Sequence, residues 1–163
     1  MLWRALASAG CRVRLMGATC LAAELAGTPN VELLPVNRED PASFLRSLDC
    51  FVYRRSAHWF EAYGRVVMEA MATGLPVVAG ERGGYADHLR NGVNAYVVAS
   101  TDEAIERVAA LSQSPAEAAR IGAAARRDAI ALNADELPRR TLELLIDTSH
   151  AEARQGHGEA VTT

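Results

Sequence analysis

The stretch Trp59-Phe-Glu61-Ala-Tyr63-Gly64-Arg65-Val-Val-Met-Glu69-Ala-Met-Ala-Thr73-Gly74-Leu-Pro76-Val-Val-Ala79-Gly80-Glu-Arg-Gly83-Gly84-Tyr85 decides the fold. A loop ends at Gly64. The spacing predicts a helix over Arg65 to Thr73, stopped by Gly74 and Pro76. A short apolar strand, Pro76 to Ala79, comes next, and a glycine-rich turn from Gly80 to Gly84 follows it. Loop, helix, buried strand and second glycine turn make one unit of an alternating α/β chain.

Two carboxylates bracket the junction of loop and helix. Glu61 lies in the loop and Glu69 inside the helix, so both can face the end of one cleft. The start of the helix presents free backbone N–H groups and a partial positive charge. Gly64 has no Cβ, so an anion can come close to that backbone. A ligand with a diphosphate in its middle and hydroxylated sugars at both ends fits these parts. The phosphates would meet the N–H groups, and each carboxylate would accept hydrogen bonds from a pair of hydroxyls.

Glu61-x7-Glu69 around Tyr63-Gly64, then Glu69-Ala-Met-Ala-x-Gly74-x-Pro76-Val-Val-Ala79, then Gly83-Gly84, resembles the donor-binding half of the group 1 glycosyltransferases. The resemblance runs from about Cys11 to Val98 and loosely over the C-terminal helices. It implies a GT-B fold and a retaining transfer of a sugar from a nucleotide diphosphate donor to an acceptor hydroxyl. Glu69 would hold the ribose. Glu61 would lie at the donor hexose and is the catalytic candidate. Gly64, Arg65, Tyr63, Gly83 and Gly84 are the further donor-binding candidates. Asp87 stands where the family often has a Glu, one methylene longer. No metal and no cofactor are expected; the partner implied is a nucleotide diphosphate sugar. A nucleotide-sugar epimerase and a non-catalytic nucleotide-sugar-binding module are the alternative readings.

The remainder of the chain continues the alternation. Strands are expected at Arg12–Met16, Val31–Val36, Cys50–Tyr53 and Tyr96–Val98, with Asn91-Gly92 as a turn. Helices are expected over Met1–Ala9, over Leu21–Ala26, and from Asp40-Pro41 to Leu48, where Asp40 caps and Pro41 opens. Ser100 with Glu103 and Ser114 with Glu117 have capping-box spacing, ahead of helices at 102–112 and 115–132. A last helix is expected at 135–146. The fold class is therefore α/β: a Rossmann-like, doubly wound parallel sheet, the C-terminal half of GT-B. Residues 1–150 would form that domain and 151–163 a disordered tail.

The resemblance further implies a first strand and a basic phosphate-binding loop ahead of Met1, and an N-terminal acceptor-binding domain. The missing strand would be the central one, leaving Arg12–Met16 and Cys50–Tyr53 each without a neighbour on one side.

Composition bounds the partners. The net charge of −3 gives no case for nucleic acid. No apolar run reaches the length of a transmembrane segment. Cys11, Cys20 and Cys50 have no ligand spacing and read as small buried residues in a reducing compartment. A cytoplasmic location follows, with the full enzyme peripheral to a membrane as an option.

Overall fold

The computed structural model describes residues 2–54 and 63–135. Its helices are α1 (Leu2–Ser8), α2 (Ala22–Leu25), α3 (Pro41–Arg46), α4 (Arg65–Ala72), α5 (Thr101–Gln113) and α6 (Pro115–Asp135). Its strands are β1 (Val13–Met16), β2 (Val31–Leu34), β3 (Phe51–Tyr53), β4 (Val77–Gly80) and β5 (Tyr96–Val98). The chain divides into two units, Met1–Ala129 and Ile130–Thr163. Of the second, residues 130–135 are described, as helix. A separate helix was expected at 135–146, but Asp135 still belongs to α6; residues 136–146, the domain boundary at 150 and the tail lie outside the described residues.

All the ladders are parallel. β1 pairs with β2, Val13 opposite Val31 and Met16 opposite Leu34. β4 is the middle strand of the order β3-β4-β5, with Phe51 opposite Val77 and Gly80 opposite Val98. Val77, Val78 and Ala79 are wholly buried, as an apolar strand covered on both faces must be. β1 and β3, the two strands expected to flank a further central strand, belong to different sheets.

A shared core joins those sheets. Leu2, Leu6 and Ala7 of α1 and Ala104, Val108 and Leu111 of α5 pack with Val13, Val78 and Val98. Behind β1, Arg14 binds Glu32 of β2 and Glu39, each at 2.7 Å, and lies over the Phe44 ring of α3. The hydrogen bond from Arg14, and after it that from Arg12, holds the Glu32 carboxylate below its ordinary pKa.

Local rules place the helix ends. Asp40 accepts the Ser43 N–H at 3.0 Å, with Pro41 first in α3. Ser100 accepts the Glu103 N–H at 3.1 Å, while the Glu103 carboxylate reaches back to the Ala99 N–H. Glu117 does not complete the second expected box. Its carboxylate is taken by Arg120 and by the Tyr96 hydroxyl, at 2.6–2.8 Å, because a cation is the stronger partner.

α4 ends at Gly74, whose φ of 83° is the left-handed cap conformation. Arg126 of α6 donates to the Ala72 carbonyl at that end. Gly122 of α6 lies so close that an added Cβ would stand 2.1 Å from the Gly74 carbonyl oxygen.

The cysteines divide. Cys11 and Cys50 are partly buried, and desolvation pushes the Cys50 thiol up to about 12. Cys20 departs from the expectation: it is exposed, on the short 3-10 turn after β1, where no helix or strand covers it.

Candidate functional site

Parallel strands leave their carboxyl ends at one edge, where loops collect. β3 ends there at Tyr53, β4 ends there at Gly80, and α4 begins between them in the chain. Gly64 is the N-cap of α4, with φ 70° and ψ 45°, a left-handed conformation that a Cβ would strain. Its carbonyl accepts the Val67 N–H at 2.8 Å, so the first turn of α4 is tight.

The Gly83–Gly84 turn is brought directly to Gly64. The agent is Tyr85, which is fully buried. One edge of its ring lies against both turns. A Cβ built on Gly64 would stand 2.4 Å from Tyr85 Cδ1, and one on Gly83 would stand 2.4 Å from Cε1. Both glycines are thus required by packing as well as by conformation. The Tyr85 hydroxyl donates to the Arg82 carbonyl at 2.9 Å. Tyr53 meets the ring edge-on, with centroids 5.3 Å apart. Tyr63, half exposed, stands 6.5 Å from the His88 ring. The five candidates Tyr63, Gly64, Arg65, Gly83 and Gly84 therefore occupy one edge.

Glu69 lies one turn into α4. It pairs with Arg65 at 3.3 Å across a single helical turn, and both side chains reach solvent. Arg54, just past β3, donates to the Thr101 hydroxyl at the start of α5. Asp87 is exposed in the short turn after Tyr85. The catalytic candidate Glu61 lies outside the described residues. Among the described residues no cluster of His, Cys, Asp and Glu could hold a metal ion, and no helix is long and apolar enough to cross a membrane.

Beyond the turn, the loop 88–95 is anchored to α6 by the wholly buried Asn94. Its amide oxygen accepts the Arg90 N–H at 2.7 Å, and its NH2 donates to the His88 carbonyl and to Asp128. Arg90 also binds Asp128 at 2.7 Å. Burial pushes the Asp128 carboxyl up, but the donors Arg90 and Asn94 outweigh it and hold the group below its usual pKa. Neither Tyr85 nor Asn94 was to be found from the sequence. Their decisive partners, Gly64 and Tyr53 for Tyr85 and Asp128 for Asn94, lie many positions away, and no local pattern announces them.

Comparison with known proteins fits this geometry. The family described as glycosyl transferases group 1 matches residues 14–128, which include every described element of the site. The chain belongs to the group 1 glycosyltransferases. Bacillus subtilis spore coat protein SA is 35% identical over 81 residues, spanning 48% of this chain and 22% of that protein. Anabaena HepE, solved with UDP and glucose, superposes with a TM-score of 0.69 at 23% identity, over 86% of this chain and 43% of HepE. The sucrose-phosphate synthase of Thermosynechococcus elongatus gives 0.69 at 18% identity, over 91% and 43%. This group 1 chain thus spans less than half the length of each. The fold is the Rossmann-like half of GT-B that the sequence led one to expect.

Proposed function

We propose that this chain is the donor-binding half of a retaining glycosyltransferase that moves a hexose from a nucleotide diphosphate to an acceptor hydroxyl. The observation that carries the reading is the convergence of Gly64, the start of α4 and the Gly83–Gly84 turn at the carboxyl edge of β3 and β4. Family membership supports it. UDP is the first donor nucleotide to test, because HepE, of like fold, was solved with UDP and with UDP-glucose.

In this reading the diphosphate meets the N–H groups at the start of α4, where the helix dipole favours negative charge. Arg65 exchanges Glu69 for a phosphate, an exchange that costs little between two solvated side chains. Glu69 then receives the ribose hydroxyls, and Glu61 the hexose. The leaving diphosphate is stabilised by the dipole and by Arg65, with no metal assigned a part. The acceptor and the residues that place it would come from a second half.

Calorimetry of the chain with UDP, GDP, ADP and UDP-glucose tests the donor reading. Binding of one nucleoside diphosphate over the others, strengthened by its sugar, is expected. Heats that do not distinguish nucleotide from inorganic diphosphate would overturn it. In a longer chain carrying the acceptor half, proton NMR of the anomeric centre should give the product the configuration of the donor.

A further inference from the structure

We propose that Tyr85 is a positioning residue of the donor site: its ring is the spacer that sets the distance between the start of α4 and the Gly83–Gly84 turn. This rests on the donor reading above.

Both turns pack against the same ring. Gly64 and Gly83 are nineteen positions apart in the chain, yet each has its missing Cβ aimed at the same ring edge, at 2.4 Å. Ring packing fixes how far the two backbones approach, because neither can come closer than the ring allows. Two further contacts and full burial fix the ring itself. Tyr53, at the end of β3, meets it edge-on at 5.3 Å. The Arg82 carbonyl accepts its hydroxyl at 2.9 Å. Full burial leaves it no alternative rotamer in solvent. Tyr85 thereby ties the ends of β3 and β4 and the N-cap of α4 into one frame. The N–H groups that would receive diphosphate and sugar come from two of those three pieces. A smaller side chain at 85 leaves a void beside both glycines, and the turns relax into it independently. Donor recognition, which needs both at a fixed spacing, would then suffer even though no contact to the donor is removed.

The chain itself serves for the test, with UDP and UDP-glucose as probes in calorimetry below the unfolding transition of every variant. Tyr85→Phe keeps the ring and should bind UDP-glucose within about twofold of the parent. Tyr85→Leu should bind it at least about tenfold more weakly. Leu111→Ala, a buried change of α5 in the core shared by the two sheets, serves as the control for stability loss and should leave the affinity unchanged. Gly83→Ala should weaken binding alone and cost less in the Tyr85→Leu background, since the ring it strikes is gone. If Tyr85→Leu binds like the parent, or if Leu111→Ala loses as much as Tyr85→Leu, the spacer role is overturned while the donor reading stands. If the parent binds neither probe, the donor reading fails and the spacer role falls with it.

Discussion

Glu69 and Glu61 differ in what their removal should do. A carboxylate that accepts hydrogen bonds from ribose contributes about 1.5–3 kcal/mol for each charged bond. Glu69→Ala should therefore weaken UDP binding by at least about tenfold. The fold should hardly notice, since the Arg65–Glu69 pair is solvated. Glu61→Gln should leave UDP affinity intact and abolish the extra affinity of UDP-glucose over UDP. Calorimetry with the two ligands separates the roles, and equal UDP affinity for Glu69→Ala and its parent would return Glu69 to an ordinary helix surface. These two could be named as candidates from the sequence because the motif is local: loop, glycine, helix and turn follow one another in the chain. Tyr85 was legible only as the residue after Gly84. That it packs on Gly64 depends on how β3, β4 and α4 assemble, which no short window of sequence encodes.

At the scale of elements, local chemistry was a good guide wherever the chain supplies its own partner. Asp40 and Ser100 cap as their spacing predicts. The strand limits fall within a residue or two of expectation. Glu117 did not cap, because Tyr96, from β5, and Arg120 compete for it. That competition has a pH signature. The hydrogen bond from Arg120, then that from Tyr96, hold the Glu117 carboxyl at about 2, below its ordinary 4.5. A group with a depressed folded pKa stabilises the fold fully above its unfolded value, and the contribution disappears as acid protonates it. The parent should lose this contribution as the pH falls from about 4.5 towards 2. Urea titrations at pH 5.5 and pH 3 (two values on the order of those limits) should show a smaller pH dependence for Glu117→Gln than for the parent. Identical slopes would mean that the Tyr96–Glu117–Arg120 contact is not maintained in solution.

For the molecule as a whole, the division into two sheets should govern where it opens first. β4 has a partner strand on both sides and no exposed residue among Val77, Val78 and Ala79. β1 and β2 form a two-stranded ladder held to the rest by α1 and the shared core. A two-stranded sheet is weak alone. Native-state hydrogen exchange should therefore find the β4 amides slowest, at the rate of global unfolding. The β1–β2 amides should exchange faster, through a smaller opening. Equal protection of all five strands would show that the two sheets unfold as one cooperative body. The α/β class and parallel direction were readable from alternation alone. The break between the sheets followed from the family resemblance, since it concerns how strands are ordered in space.

α6 holds the far end of α4 with Gly122 and Arg126, and the loop beyond Gly84 with Asp128. One helix on the outside thus acts as a crossbar between the two arms that would grip the donor. A methyl group at position 122 has nowhere to go against the Gly74 carbonyl, so α6 would have to lift, and Asp128 would carry Asn94 with it. The obstacle is backbone, which any residue at 74 would keep, so no change there can make room at 122. In the donor reading, a lone Gly122→Ala would register as lost grip on a nucleotide that position 122 never touches.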